Sequence, residues 1–215
     1  MNNINNNEII HDCKVIMLGD SGVGKSSIIS RYVSGYFVKD LVSTSGTNYS
    51  YKIYENKDQK VRLNIWDTAG QEKYRSLGKH FYKDAYIICI VFDITKKETF
   101  QSIKEVWYPE ILKNGEEYHI IAVIGNKIDK YTEEEVNEDE CSSYAKEIGG
   151  RFFLVSAQNG NGVNDMFQTL AEIYLEPSFR KKIDETIKEY QRKDSLKLNK
   201  KNCSENKNNK SSKCC

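Results

Sequence analysis

Gly19-Asp20-Ser21-Gly22-Val23-Gly24-Lys25-Ser26 fits the pattern G-x-x-x-x-G-K-[ST]. It follows the strand-like run Lys14 to Leu18 and opens the helix-capable run Ser26 to Val33, the strand–loop–helix context that the pattern needs. Gly22 and Gly24 let the backbone turn where a Cβ would be costly, so that successive N–H groups and a helix N-terminus can surround phosphates. The expected phosphate cradle is therefore Ser21, Gly22, Val23, Gly24, Lys25, Ser26 and Ser27. Lys25 supplies a point charge to the β and γ phosphates, and the Ser26 hydroxyl a magnesium ligand.

A phosphate loop does not choose between ATP and GTP; two further segments do. Asp67-Thr68-Ala69-Gly70-Gln71 follows the alternating run Val61 to Ile65, which puts Asp67 at a strand's C-terminal end, where open α/β sheets bind ligands. From there the carboxylate can reach magnesium through water, the Gly70 N–H can meet a γ phosphate, and the Gln71 amide can orient an attacking water. Asn126-Lys127-Ile128-Asp129 follows the apolar run Ile120 to Gly125 and ends at the same sheet edge. The Asp129 carboxylate suits the N1–H and N2–H₂ donors of guanine, a pair that adenine lacks, while Asn126 and Lys127 would brace the site. Alone, this four-residue match is weak. In register with the other two it specifies GTP or GDP with Mg²⁺.

At this point the chain resembles the small Ras-like GTPases over about residues 9–176, and within them the Rab family. GDSGVGKS, WDTAGQEKYRSL, GNKID and Ser156-Ala157-Gln158 stand in that family's order. The resemblance implies that Thr44, 18 residues after Ser26, completes the magnesium shell only when a γ phosphate is present. It implies that Phe37 packs on the guanine ring and that the Ala157 backbone N–H meets the guanine O6. It also implies that Tyr49, Trp66 and either Phe81 or Tyr82 form an aromatic surface shown to effectors. Ser45, Thr47 and Asn48 depart from the family's usual residues on the effector-facing strand, which bears on partner identity. Gln158 replaces its usual Lys at a site read mainly through backbone.

The fold expected is α/β: a six-stranded, mostly parallel sheet with one antiparallel edge strand and helices on both faces. Strands are expected near 13–18, 47–55, 60–66, 85–92, 119–125 and 151–156, and helices near 25–34, 72–83, 97–113, 134–147 and 163–175. The link Asn56-Lys57-Asp58-Gln59 suits a hairpin and is too short for a crossover. The expected organisation is an Asn-rich, disordered stretch at 1–8, the GTPase domain at 9–176 and a basic tail at 177–215. No apolar run of about 18 residues and no signal peptide is visible, so a cytosolic chain that does not span a membrane is expected. Cys13, Cys89 and Cys141 read as inert thiols, and His11, His80 and His119 lack metal-ligand spacing.

Charge divides the chain. Residues 177–215 hold 12 Lys and Arg against 5 Asp and Glu, a net of +7, and the remaining 20 against 26 leave residues 1–176 at −6. The tail ends in Cys214-Cys215, which is not a C-a-a-X box but resembles the doubly geranylgeranylated terminus of many Rab proteins. A lipid anchor joined to a polybasic patch holds stably where one chain does not. The partners so implied are an exchange factor, a GTPase-activating protein, effectors, a prenylation escort and a GDP-dissociation inhibitor, with no nucleic acid. The expected address is the cytosolic face of intracellular membranes, in exchange with cytosol. The reading is a GTP-hydrolysing switch in vesicle trafficking with a slow intrinsic rate; its alternative is a hydrolysis-poor, nucleotide-held scaffold.

Overall fold

A computed structural model describes residues 10–38, 47–57, 59–68, 79–115 and 118–188. The chain divides after Leu175 into two compact units. In the first, six strands form one sheet in the order β2-β3-β1-β4-β5-β6. They are β1 (Ile10–Leu18), β2 (Thr47–Glu55), β3 (Lys60–Thr68), β4 (Ala85–Asp93), β5 (Ile120–Asn126) and β6 (Arg151–Val155). Only β2 and β3 pair antiparallel, with Tyr49 opposite Trp66; every other pairing is parallel. The four-residue link between β2 and β3 is the physical reason, since a crossover could not fit.

The central strands β4 and β5 are buried along nearly their whole length, as strands covered on both faces must be. Ile16, Leu18, Ile88, Ile90 and Phe92 share one core with Phe100, Ile103, Trp107 and Ile111. The alternate residues Val15, Met17, Ile87, Cys89 and Val91 are equally buried and point to the opposite face. There α1 (Lys25–Ser34) meets α6 (Val163–Leu175), and Tyr32 stacks on Phe167 with centroids 4.0 Å apart. Edge strand β2 has one face outward, so Tyr49, Tyr51 and Ile53 stand exposed, while Lys52 turns inward and donates to the Tyr32 carbonyl at 2.6 Å.

Two expected helices need correction. The run expected at 97–113 is α3 (Lys97–Ser102), a π-helical turn (Ile103–Trp107) and α4 (Tyr108–Asn114). Pro109 has no N–H for the Glu105 carbonyl and its ring would collide with it; the turn widens, and the Tyr108 N–H donates to the Ile103 carbonyl five residues back. The helix expected at 134–147 begins only at Glu138, as α5 (Glu138–Glu147), because Asn137 is extended and its side chain accepts the Glu140 N–H. Before it, Ile128–Glu133 forms a 3₁₀ turn, and the Glu135 N–H is drawn to the Ile94 carbonyl. Of the helix expected at 72–83, Lys79–Tyr82 (α2) is seen, and 72–78 lie outside the described residues, as do 1–8. β1 also starts three residues earlier than apolar patterning indicates, held there by its ladder with β3.

In the second unit, residues 177–188 are helical. Among the described residues, no helix is long and apolar enough to cross a membrane, and no cluster of His, Cys, Asp or Glu has a metal-holding arrangement. Cys13, Cys89 and Cys141 are buried and outside any disulfide, and burial pushes Cys89 and Cys141 up to about 12, which keeps those two unreactive at neutral pH.

Candidate nucleotide site

The strand ends facing the phosphate loop carry polar residues in an otherwise apolar sheet. Asp67, next to last in β3, is almost fully buried, and Asp93 and Asn126 close β4 and β5 as a register pair, each 1 % exposed. Against them the loop approaches so closely that two of its glycines cannot be replaced. A Cβ on Gly19 would lie 2.2 Å from the Val91 carbonyl oxygen, and one on Gly24 2.3 Å from Asn126 Nδ2, both at positive φ. Gly22, also at positive φ, faces open space. Gly24 gives α1 no side-chain cap, so the N–H groups of its first turn are available to an anion.

Lys25 is buried beneath the loop, its Nζ donating to the Gly19 carbonyl at 2.7 Å and the Asp20 carbonyl at 2.8 Å. Desolvation lowers its pKa to about 8, against the opposing pull of Asp67 and Asp20. Ser26 Oγ donates to Asp67 Oδ2 at 2.5 Å. Two hard oxygen donors thus meet at the loop's edge, a set that fits magnesium; the ion would neutralise phosphate charge as it develops.

Asn126 spans two loops. Its Nδ2 donates to the Val23 carbonyl at 2.8 Å, and its Oδ1 accepts the Ala157 N–H at 3.1 Å. For Ala157 to meet a guanine O6, as the resemblance implies, that N–H must be shared or exchanged. Ser156 Oγ, fully buried, donates to Asp129 Oδ1 at 2.5 Å, fixing the carboxylate through one oxygen. Lys127 adopts a left-handed φ of 73°, an uncommon conformation for a side chain with a Cβ, and its ammonium lies 2.6 Å from Asp93 Oδ2.

Other expected residues fall as follows. Ser21 is exposed, Val23 is buried, Ser27 is half-buried, and Phe37 is half-buried just past the end of α1. Thr44, Ser45, Gly70, Gln71, Cys214 and Cys215 lie outside the described residues. Of the aromatic alternatives, Tyr82 is 2 % exposed and belongs to the core. Phe81 instead joins Trp66 through Lys14, whose ammonium lies 5.6 and 5.8 Å from their ring centroids, and Tyr49 lies 5.3 Å from Trp66. Gln158 contributes its main-chain carbonyl, which accepts from Arg31 Nη2, while Arg31 Nε donates to the Ala157 carbonyl at 2.8 Å.

Arg31 and Asp93 have no part in the sequence reading. Arg31 has no local cue, since it lies 126 residues from Ala157. Asp93 had one: it ends an apolar strand as Asp67 and Asn126 do. Its Oδ1 accepts from the Thr95 N–H at 3.0 Å and Thr95 Oγ1 at 2.8 Å, which aims Oδ2 at Lys127.

A glycine-bound cradle at the head of a helix, a buried lysine under it and a carboxylate–amide constellation at the strand ends define a phosphate-loop nucleotide-binding protein. Residues 14–176 match the Ras family. Ras-related protein Rab-7a of Paramecium octaurelia is 40 % identical over 164 residues, 74 % of this chain and 79 % of the relative. Ras-related protein SEC4 of Saccharomyces cerevisiae is 36 % identical over 163 residues, 76 % and 75 % of the two chains. Ras-related protein Rab-22A of Homo sapiens is 37 % identical over 158 residues, 74 % and 81 %. The chain belongs to the Ras family and is a small GTPase of the Rab type, which binds GTP and GDP, hydrolyses GTP and serves vesicle trafficking.

Two outcomes follow from this geometry. Asp93→Asn leaves the Lys127 ammonium without its charge partner, so the affinities for GDP and GTP should fall together by roughly tenfold, the worth of one charge-assisted hydrogen bond; equilibrium titration of both nucleotides checks it. Phosphate binding should raise the Lys25 pKa above its value of about 8 in the free protein. Affinity is then fully present below pH 8 and falls as pH rises through it, by up to tenfold per pH unit. Lys25→Arg, whose charge does not titrate, should lose that slope in GDP titrations between pH 7 and 9.

Proposed function

We propose that Asp129 selects guanine and that Ser26, Thr44 and Asp67 hold magnesium against the phosphates. The observation that carries this reading is the Asn126 bridge, which draws the Val23 and Ala157 loops to the Asp129 side of the sheet edge. In it, Ser21 to Ser27 cradle the phosphates, Phe37 covers the base, and Ser156, Ala157 and Gln158 form its outer wall. Gln71 orients the water and the Gly70 N–H meets the γ phosphate. Thr44 and Gly70 grip only GTP, which makes the segments around them the switch. A GTPase-activating partner would supply an arginine, worth roughly 10³ to 10⁵ in rate.

The GTPase domain is residues 9–176, preceded by the Asn-rich stretch 1–8 and followed by the basic tail 177–215. Cys214 and Cys215 take prenyl groups with the help of an escort protein, and the +7 tail adds attraction to an anionic leaflet of about 1 kcal/mol per basic residue. A GDP-dissociation inhibitor returns the chain to cytosol, and on the cytosolic face of intracellular membranes the GTP form recruits effectors through Tyr49, Trp66 and Phe81.

Asp129→Asn tests the base assignment. It presents an N–H donor where guanine needs acceptors, so preference should move from GDP to xanthosine diphosphate in competition; a variant that still prefers GDP removes Asp129 from recognition. For the anchor, replacement of both Cys214 and Cys215 should leave GDP affinity unchanged and release the protein to the soluble fraction of cells. Either single replacement should give weaker retention than the parent. Retention of the double variant in high salt would place the anchor elsewhere.

A further inference from the structure

Asp20 brings a negative charge into a loop built for phosphates. Its main-chain carbonyl accepts from Lys25 Nζ at 2.8 Å, and its carboxylate contributes to the charge environment of that lysine. A carboxylate free to turn toward the ligand would compete for the same ammonium and repel the phosphates. It is instead claimed from a distant element: Trp107 Nε1 donates to Asp20 Oδ1 at 2.9 Å across 87 residues.

The donor is held there by backbone geometry. Trp107 is 7 % exposed and packed in the core that contains Phe100, Ile103 and Ile111. It ends the π-helical turn Ile103–Trp107, whose extra residue per turn is the consequence of Pro109. Such single widened turns are frequent at functional sites, and an indole N–H in a buried setting needs an acceptor. We propose that Trp107 is a positioning residue for nucleotide retention: it holds the Asp20 carboxylate off the phosphate site, so that Lys25 faces the nucleotide and α3–α4 is mechanically joined to the phosphate loop. Packing alone would make the ring important and the N–H incidental.

Dissociation of a fluorescent GDP from the full chain separates these cases. Trp107→Phe keeps a ring and loses the donor, and should accelerate release five- to tenfold. Introduced into Asp20→Asn, where there is no carboxylate to restrain, the same change should alter the rate less than twofold. An equal acceleration in both backgrounds, or none in either, overturns the proposal. Should Trp107→Phe fail to fold with GDP bound, Trp66→Phe provides a second measurement, because it leaves Trp107 as the single tryptophan of two. Asp20→Asn in that protein should shift the Trp107 emission, and an unmoved spectrum overturns the proposal.

Discussion

One buried side-chain amide holds the ligand-binding loops in register. Asn126 has a donor and an acceptor pointing opposite ways, and it uses them on the Val23 carbonyl and the Ala157 N–H. Those groups belong to segments more than a hundred residues apart in sequence. A carboxylate in its place would repel the Val23 carbonyl, and an ammonium could not accept from Ala157. The 2.3 Å clash that a Cβ on Gly24 would make with the same amide shows how little room the arrangement leaves.

The rest of the site solves an electrostatic problem. Lys25 is buried with its ammonium on two backbone carbonyls, and desolvation lowers its pKa to about 8. Asp67 and Asp93 are carboxylates deep enough to need partners, and the Ser26 hydroxyl and the Lys127 ammonium supply them. Removing a partner therefore acts on binding through the charge left behind, more than through the contact itself.

Local pattern made the site legible wherever a motif and its flanking strand lie together. GDSGVGKS, the strand into Asp67 and the strand into Asn126 each announce both the residue and its position at the sheet edge. The sheet's single antiparallel pair was readable for a similar reason, a connection too short for anything else. What stayed hidden depended on distance or competition. Arg31 reaches the Ala157 and Gln158 carbonyls from a helix whose spacing says only amphipathic. Tyr82 and Phe81 are neighbours on a short helix, and only packing tells the core ring from the surface one. The interrupted helix around Pro109 was marked by the proline itself, yet a π turn, unlike a break, keeps the helical periodicity nearly intact. The acidic stretch at Glu133 to Glu135 has helical propensity, and the Asn137 cap overrules it.

Edge strand β2 exposes Tyr49, Tyr51 and Ile53 on one face and backbone groups along its open side. This is the arrangement that invites a second copy to stack during synthesis or crowding. Lys52, turned inward to the Tyr32 carbonyl, is the countermeasure. An incoming strand would have to accommodate a cation already committed to α1. An exposed aromatic edge is in this way made a poor template for aggregation, and a substitution that neutralises Lys52 would show its effect in solubility before it showed in nucleotide chemistry.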